Sequence, residues 1–174
     1  MPRRVARWAA CATSRRMLQI RSATADDAAC ILGFIRALAD YEREPDAVEV
    51  DEATLARQLR EQPPPFECLI AELAGRPAGF ALFFHTYSTW RGKRGLWLED
   101  LFVLSEARRQ GIGGALLERL AALALERDCA RFEWSVLDWN TPAIDFYRKV
   151  GAQVLDHWRI CRVTGAALTR LAGD

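Results

Sequence analysis

The stretch LEDLFVLSEARRQGIGGALLERL, residues 98–120, decides the fold. It begins as an apolar, strand-like run that carries Glu99 and Asp100, and continues as a turn rich in arginine and glycine. It ends with leucines at helical spacing, so it predicts a strand, a turn and a helix in that order. Such a turn brings backbone N–H groups to the positive end of a helix, where they can bind a phosphate.

Two familiar phosphate-binding motifs do not fit these glycines. A P-loop requires a lysine followed by serine or threonine, which is absent here, and a dinucleotide fingerprint requires glycine where Leu116 stands. An alternative is that the glycines only form a tight connection between strand and helix, which the turn by itself does not exclude.

The composition limits the function classes. The chain has 174 residues, is 51% hydrophobic and 27% charged, and has a net charge of +1. We expect no general preference for nucleic acid, and no apolar run approaches the length of a membrane span. The five cysteines lack metal-ligand spacing and only two histidines are present, which predicts reduced thiols, no bound metal and a cytoplasmic location.

The first sixteen residues, MPRRVARWAACATSRR, are rich in arginine and alanine and contain no acid. A targeting peptide, a basic arm and a segment upstream of a start at Met17 all remain open. We expect residues 1–16 to be a disordered extension and residues 17–174 to form one domain.

Hydrophobic periodicity predicts the element order β-α-α-β-β-β-α-β-α-β, a mixed α/β (α+β) fold whose mostly antiparallel sheet is flanked by helices. Thr24 and Asp27 predict a helix start, and Ala74-Gly75-Arg76 predicts a hairpin. The chain is expected to end in one or two strands, through HWRICRV, residues 157–163.

Several segments resemble the GCN5-related N-acetyltransferase (GNAT) superfamily. Arg108-x-x-Gly111-x-Gly113 is similar to the family's acyl-CoA pyrophosphate motif. The segments IRSATADDAACILGFIRALADYE, FFHTYSTWRGKRGLWLEDLFV, RRQGIGGALL and WNTPAIDFYRKVGA resemble its diamine (spermidine/spermine) and thialysine acetyltransferase branch, in the family's order. The resemblance spans nearly everything after Met17.

The resemblance implies a GNAT fold, acetyl-CoA as co-substrate and a homodimer. It implies a cofactor site formed by Leu101, Phe102, Val103, Arg108, Arg109, Gln110, Gly111, Ile112, Gly113, Gly114, Asn140 and Tyr147. It implies an amine site formed by Tyr41, Glu42, Trp90, Glu99, Glu133, Trp134 and Ser135. It also implies that adjacent strands separate within residues 98–103, where a bulge is expected.

Proton chemistry suggests roles for three residues. An alkylammonium has a pKa of roughly 10, so removing its proton is a larger demand than protonating the departing thiolate. Glu99 is the candidate base. In a regular strand Asp100 would point to the opposite face, which suggests a structural role. By the resemblance, Tyr147 would hydrogen-bond to the departing thiolate.

We therefore expect an acetyl-CoA-dependent N-acetyltransferase that acts on a small polyamine, diamine or lysine-like amine by direct attack in a ternary complex. A protein or peptide N-acetyltransferase and a non-catalytic CoA-binding interaction module are the alternatives. Neither nucleic acid nor a membrane is expected as a partner.

Overall fold

The computed structural model describes residues 17–173, so the extension predicted over residues 1–16 lies outside the described residues. These residues form two compact units, one that extends through Ser135 and one that begins at Val136. No helix of residues 17–173 is both long and apolar enough to cross a membrane.

The first unit is built on a five-stranded sheet in which sequence neighbours are also spatial neighbours. The strands are β1 (Leu18–Ser22), β2 (Glu67–Leu73), β3 (Arg76–Ser88), β4 (Lys93–Val103) and β5 (Phe132–Trp134). Strands β1 to β4 pair antiparallel, and β5 pairs parallel to β4. The predicted fold class, a mixed sheet with helices beside it, is therefore confirmed.

The predicted hairpin joins β2 to β3 through two residues, Ala74 and Gly75. Both have positive φ values, 53° and 74°. Two consecutive positive φ values are typical of the type I′ turn, whose twist matches that of the paired strands. The hairpin prediction is confirmed.

Helices α1 (Ala28–Glu42) and α2 (Glu52–Gln58) cover one face of the sheet. Thr24 and Asp27 form the predicted capping interaction before α1, and the Asp51 side chain accepts a bond from the Thr54 N–H at 2.8 Å. Residues from both helices pack with alternate residues of the sheet strands. This core consists of Ala28, Ile31, Leu32, Phe34, Leu55, Cys68, Ile70, Phe80, Leu82 and Phe102.

Helix α3 (Ile112–Glu126) belongs to the opposite face. Phe83 follows the core residue Leu82 on β3, so its side chain points to this opposite face. The Arg127 guanidinium, just after α3, stands 5.8 Å from the centre of the Phe83 ring. Arg127 also forms an ion pair with Glu67 at the start of β2, with an Nη2–Oε2 distance of 2.8 Å. The end of α3 is thereby held to the sheet.

The second unit contains α4 (Thr141–Lys149) and α5 (Gly165–Leu171). Helix α4 begins with Pro142 in its first turn and the Asn140 side chain accepting from the Ala143 N–H at 3.4 Å. The strand expected over residues 157–163 is wrong, because that segment has no strand partner among the described residues. High β-propensity alone does not form a strand, because the N–H and C=O groups of the segment need a neighbouring strand to pair with.

Candidate active site on the fourth strand

A β-bulge interrupts the pairing of β4 with β3. Leu82 lies opposite Asp100 and Phe83 lies opposite Leu98, which leaves Glu99 as the extra residue on β4. A bulge bends its strand and re-aims side chains, and it is frequent beside active sites. The bulge expected within residues 98–103 is confirmed.

The bulge places two acids on one face of the sheet. Leu98 pairs with Phe83 on the α3 face, so Trp97 and Glu99 point to the α1 face. Asp100 also points to the α1 face, because it pairs with Leu82 and precedes the core residue Phe102 by two positions. The expectation that Asp100 points away from Glu99 is therefore wrong, since the extra residue breaks the alternation.

The two carboxylates have different surroundings. Glu99 is exposed, and its Oε2 accepts a hydrogen bond from the Trp97 indole N–H at 2.8 Å. Asp100 is half-buried, and burial raises its pKa to about 6, with smaller contributions from the negative charges of Glu99 and Glu42. Burial also raises the pKa of Glu42, the last residue of α1. Three acids are thus close enough to influence one titration.

Beyond the bulge, one edge of β4 has no strand from residues 17–173 beside it. Strand β5 pairs only with residues Leu96 to Leu98 of β4. In the part of the chain that the structure describes, residues 100–103 therefore pair with β3 alone. The main-chain groups of the predicted cofactor residues Leu101, Phe102 and Val103 lie in this stretch. The Phe102 side chain belongs to the core, so only its backbone can meet a ligand.

The glycine turn presents main-chain N–H groups at the start of α3. Gly111, with φ 82°, is the N-cap and offers no side-chain cap, so the N–H groups of the first helical turn have no acceptor within the helix. A Cβ added at Gly111 or Gly114 would meet no atom within 4 Å, which leaves open space in front of the turn. Ile112 is 1% exposed and anchors the helix start. The turn fits a phosphate held by main-chain groups.

Two neighbours of these glycines differ in how their side chains are held. Arg109 has φ 62° and an exposed side chain. The Gln110 side-chain amide donates to the Glu106 carbonyl oxygen at 3.4 Å. Gly113, the second residue of α3, has no side chain and can contribute only main-chain groups.

Arg108 connects this turn to the end of α1. Its Nε donates to the Val103 carbonyl oxygen at 3.0 Å. Its guanidinium carbon stands 4.9 Å from the centre of the Tyr41 ring and 5.5 Å from that of Phe102. Tyr41, predicted at the amine end, is thereby packed beside the predicted cofactor turn.

Of the remaining residues predicted for the amine site in the first unit, three lie close to the β4 bulge and one lies far from it. By register Glu133 lies beside Trp97 and Trp134 beside Leu98, one step from the bulge, and Ser135 follows directly. Glu133 forms an ion pair with Arg131 at 2.6 Å. Trp90 lies in the β3–β4 turn and is 93% exposed. The strand from Lys93 to Glu99 then separates it from the bulge by roughly 20 Å. The structure does not bring Trp90 to Glu99.

Asn140 and Tyr147 belong to the second unit. Asn140 is 9% exposed and caps α4, while Tyr147 lies on α4 with its ring centre 5.5 Å from that of Phe146. Within this unit both side chains are therefore held by the same helix.

Sequence reasoning missed two residues of this site, Asp100 and Trp97. The spacing of Trp97 and Glu99, two residues apart on one strand, was a usable signal for their contact. For Asp100 the signal was misleading, because regular alternation was assumed across a bulge. Among residues 17–173 no group of three or more His, Cys, Asp or Glu side chains is arranged to hold a metal ion.

Comparisons with known proteins agree with this geometry. Residues 31–152 match the family model described as the acetyltransferase (GNAT) family. The chain is 38% identical over 167 residues to the thialysine N-epsilon-acetyltransferase of Bos taurus, covering 90% of this chain and 98% of that protein. It is 35% identical over 172 residues to the human spermidine/spermine N(1)-acetyltransferase-like protein 1, covering 93% of this chain and 25% of that protein.

A solved structure shares the fold. An integron cassette protein from the mobile metagenome of V. cholerae superposes with a TM-score of 0.75 at 26% identity, covering 90% of this chain and 98% of that one. The family match covers more than half of the chain, and the bovine relative is matched over nearly its whole length. The chain is therefore an acetyltransferase of the GNAT family.

Proposed function

We propose that the chain transfers the acetyl group of acetyl-CoA to a primary amine of a small polyamine, diamine or lysine-like amine, by direct attack in a ternary complex. The observation that carries the proposal is the bulge of β4. It combines two carboxylates, which suit an ammonium, with an open strand edge that leads to an anion-binding turn. Both substrates would thus meet at one point.

GNAT acetyltransferases use acetyl-CoA, which supplies an activated acetyl thioester when bound. The N–H groups of residues 109–114 would hold its pyrophosphate, and the open edge of residues 101–103 would pair with its amide-containing arm. A backbone N–H of that edge would stabilise the negative charge that develops on the thioester oxygen. Asn140 and Tyr147 are the further residues that the family resemblance proposes for acetyl-CoA, with the Tyr147 hydroxyl donating a hydrogen bond to the thiolate.

The amine must lose a proton before it can attack. With an alkylammonium pKa of roughly 10, about one molecule in a thousand is neutral at pH 7, a deficit of about 4 kcal/mol. Glu99 is exposed and held by the Trp97 indole, so it is placed to receive an ammonium and accept its proton. Tyr41, Glu42, Glu133, Trp134 and Ser135 are the other residues proposed for the amine.

The acceptor class is supported by the relatives' activities. The similar proteins include acetyltransferases named for thialysine and for spermidine or spermine, all of which carry a primary amine on an aliphatic chain. A short cation of this kind suits a site lined by carboxylates. We therefore favour a small amine over a protein acceptor.

A thiol-release assay with acetyl-CoA tests the proposal directly. The purified chain should release CoA thiol with at least one of spermidine, spermine, a short diamine, lysine or thialysine, and mass spectrometry should find the acetylated amine. Release with a peptide panel but with none of these amines would favour a protein acetyltransferase. Binding of acetyl-CoA without turnover on any acceptor would favour an interaction module.

A further inference from the structure

The bulge of β4 holds two neighbouring carboxylates in unlike surroundings, and the proposed function uses only one of them. We infer that Asp100 acts with Glu99 as one proton-accepting pair, in which Glu99 meets the ammonium and Asp100 retains the proton during acyl transfer. The inference rests on the proposed function and adds a positioning residue to it. Asp100 acts through Glu99 and need not touch the amine.

The geometry separates the two roles. Glu99, the extra residue of the bulge, is exposed and fixed by the Trp97 indole N–H at 2.8 Å. Asp100 is half-buried on the same face, opposite the buried Leu82 and two residues before the buried Phe102. An incoming cation therefore meets the Glu99 carboxylate first, with the Asp100 carboxylate behind it.

The charges around Asp100 favour proton retention. Glu99 faces it from its own strand and Glu42 from the end of α1, while β3 contributes the apolar Leu82. The Arg108 guanidinium stands over the rings of Tyr41 and Phe102, and its Nε donates to the Val103 carbonyl oxygen. Burial and the two acids raise the pKa of Asp100 to about 6. A base is most effective when its pKa lies near the working pH.

The proton count is consistent with one acceptor. A primary ammonium carries two more protons than the nitrogen of the product amide. One passes to the Glu99–Asp100 pair before attack, and the second leaves on the product thiol. The pair returns its proton to water when the product departs, so no further reactant is required.

The pH dependence of kcat/KM tests the inference, with whichever small amine the thiol-release assay identifies. If the neutral amine had to be drawn from solution, log kcat/KM would rise with a slope of about 1 across neutral pH. Because the ammonium itself binds and the ionised pair accepts its proton, we expect kcat/KM of the wild-type protein to change little above about pH 6 and to fall with a slope of about 1 below it, as the pair becomes protonated. Asp100→Asn should remove this break and lower kcat/KM at neutral pH by at least about tenfold, with little change in the KM for the amine.

Two further variants make the result specific. Glu42→Gln removes one neighbouring charge and should move the break to lower pH, which also gives a reading if Asp100→Asn fails to fold. Asp26→Asn makes the same chemical change at an exposed residue of the turn before α1, and should leave both break and rate unchanged.

The outcomes separate the inference from the proposed function. An active wild-type protein without a break, or an Asp100→Asn variant that keeps it, overturns the inference and leaves amine acetylation intact. If Asp100→Asn is unfolded, a break that stays in place in Glu42→Gln overturns it instead. A wild-type protein that acetylates none of the amines overturns the proposed function, and the inference with it.

Discussion

At the scale of single residues, Arg108 has a role that its place in a phosphate motif does not suggest. Its guanidinium stands over the Tyr41 and Phe102 rings, and its Nε donates to the Val103 carbonyl oxygen. Contacts of a guanidinium with aromatic faces stabilise a protein by about 0.5–1 kcal/mol at exposed sites. Arg108 therefore stabilises the connection between the glycine turn and the end of α1, besides adding positive charge.

We expect Arg108→Lys to lower the free energy of unfolding by about 0.5–1 kcal/mol. Lysine keeps the charge but loses the planar group and the Nε donor. Arg109→Lys is the matched control, because the Arg109 side chain is exposed, and it should change stability by less than about 0.5 kcal/mol. Urea denaturation measures both, and equal midpoints for the two variants would contradict a stacking role for Arg108.

At the scale of elements, β3 and β4 approach each other closely where Gly79 faces the end of β4. A Cβ at Gly79 would lie 2.7 Å from the Phe102 carbonyl oxygen and 3.2 Å from the Val103 side chain. Because the nearest atom is backbone, the strands themselves would have to move. Glycine at this position therefore maintains the pairing of the strand that carries the acids.

The same substitution should have opposite effects at two glycines. Gly79→Ala should destabilise the protein by about 1–3 kcal/mol, because the added methyl group forces β3 and β4 apart. Gly33→Ala should stabilise it by up to about 1 kcal/mol, because Gly33 is exposed within α1 and a Cβ there meets no atom within 4 Å. Differential urea midpoints decide this, and a stabilising Gly79→Ala would show that the strands are not in close contact there.

At the scale of the whole molecule, two aspartates should shape the pH dependence of stability in opposite directions. Hydrogen bonding to Arg21 lowers the pKa of Asp27 to about 2, and Arg21 also bonds Glu72 on β2 at 2.8 Å. Burial instead raises the pKa of Asp100 to about 6. The unfolded value for both is about 3.9.

We expect the free energy of unfolding to gain a contribution from Asp27 as pH rises from about 2 to 4, where the unfolded chain binds more protons. Asp100 should lower the free energy of unfolding as pH rises from about 4 to 6, where the folded protein binds more protons than the unfolded chain. Urea denaturation across this range measures both. Asp27→Asn should flatten the dependence of the unfolding free energy on pH between about 2 and 4, and Asp100→Asn should flatten it between about 4 and 6. An unchanged slope between about pH 4 and 6 in Asp100→Asn would contradict the raised pKa of Asp100.

Local features were predictable from the sequence alone. The strand, glycine turn and helix of residues 98–120, the capping pair Thr24 and Asp27, and the Ala74-Gly75 hairpin all formed as expected. Each depends on hydrogen bonds and backbone angles within a few residues of the signal. Pyrophosphate binding by the main-chain groups of residues 108–113 stays a prediction, because it depends on a ligand.

Pairing between distant segments was decided only by the tertiary structure. Regular alternation separates Glu99 from Asp100, yet the register of β4 against β3 turns both to one face and buries one of them. The strand-like residues 157–163 remain without a strand partner in the described part of the chain, and Arg108 meets Tyr41 from far along the sequence. A side chain's face and burial depend on which backbone lies beside it, and composition and local spacing do not specify that neighbour.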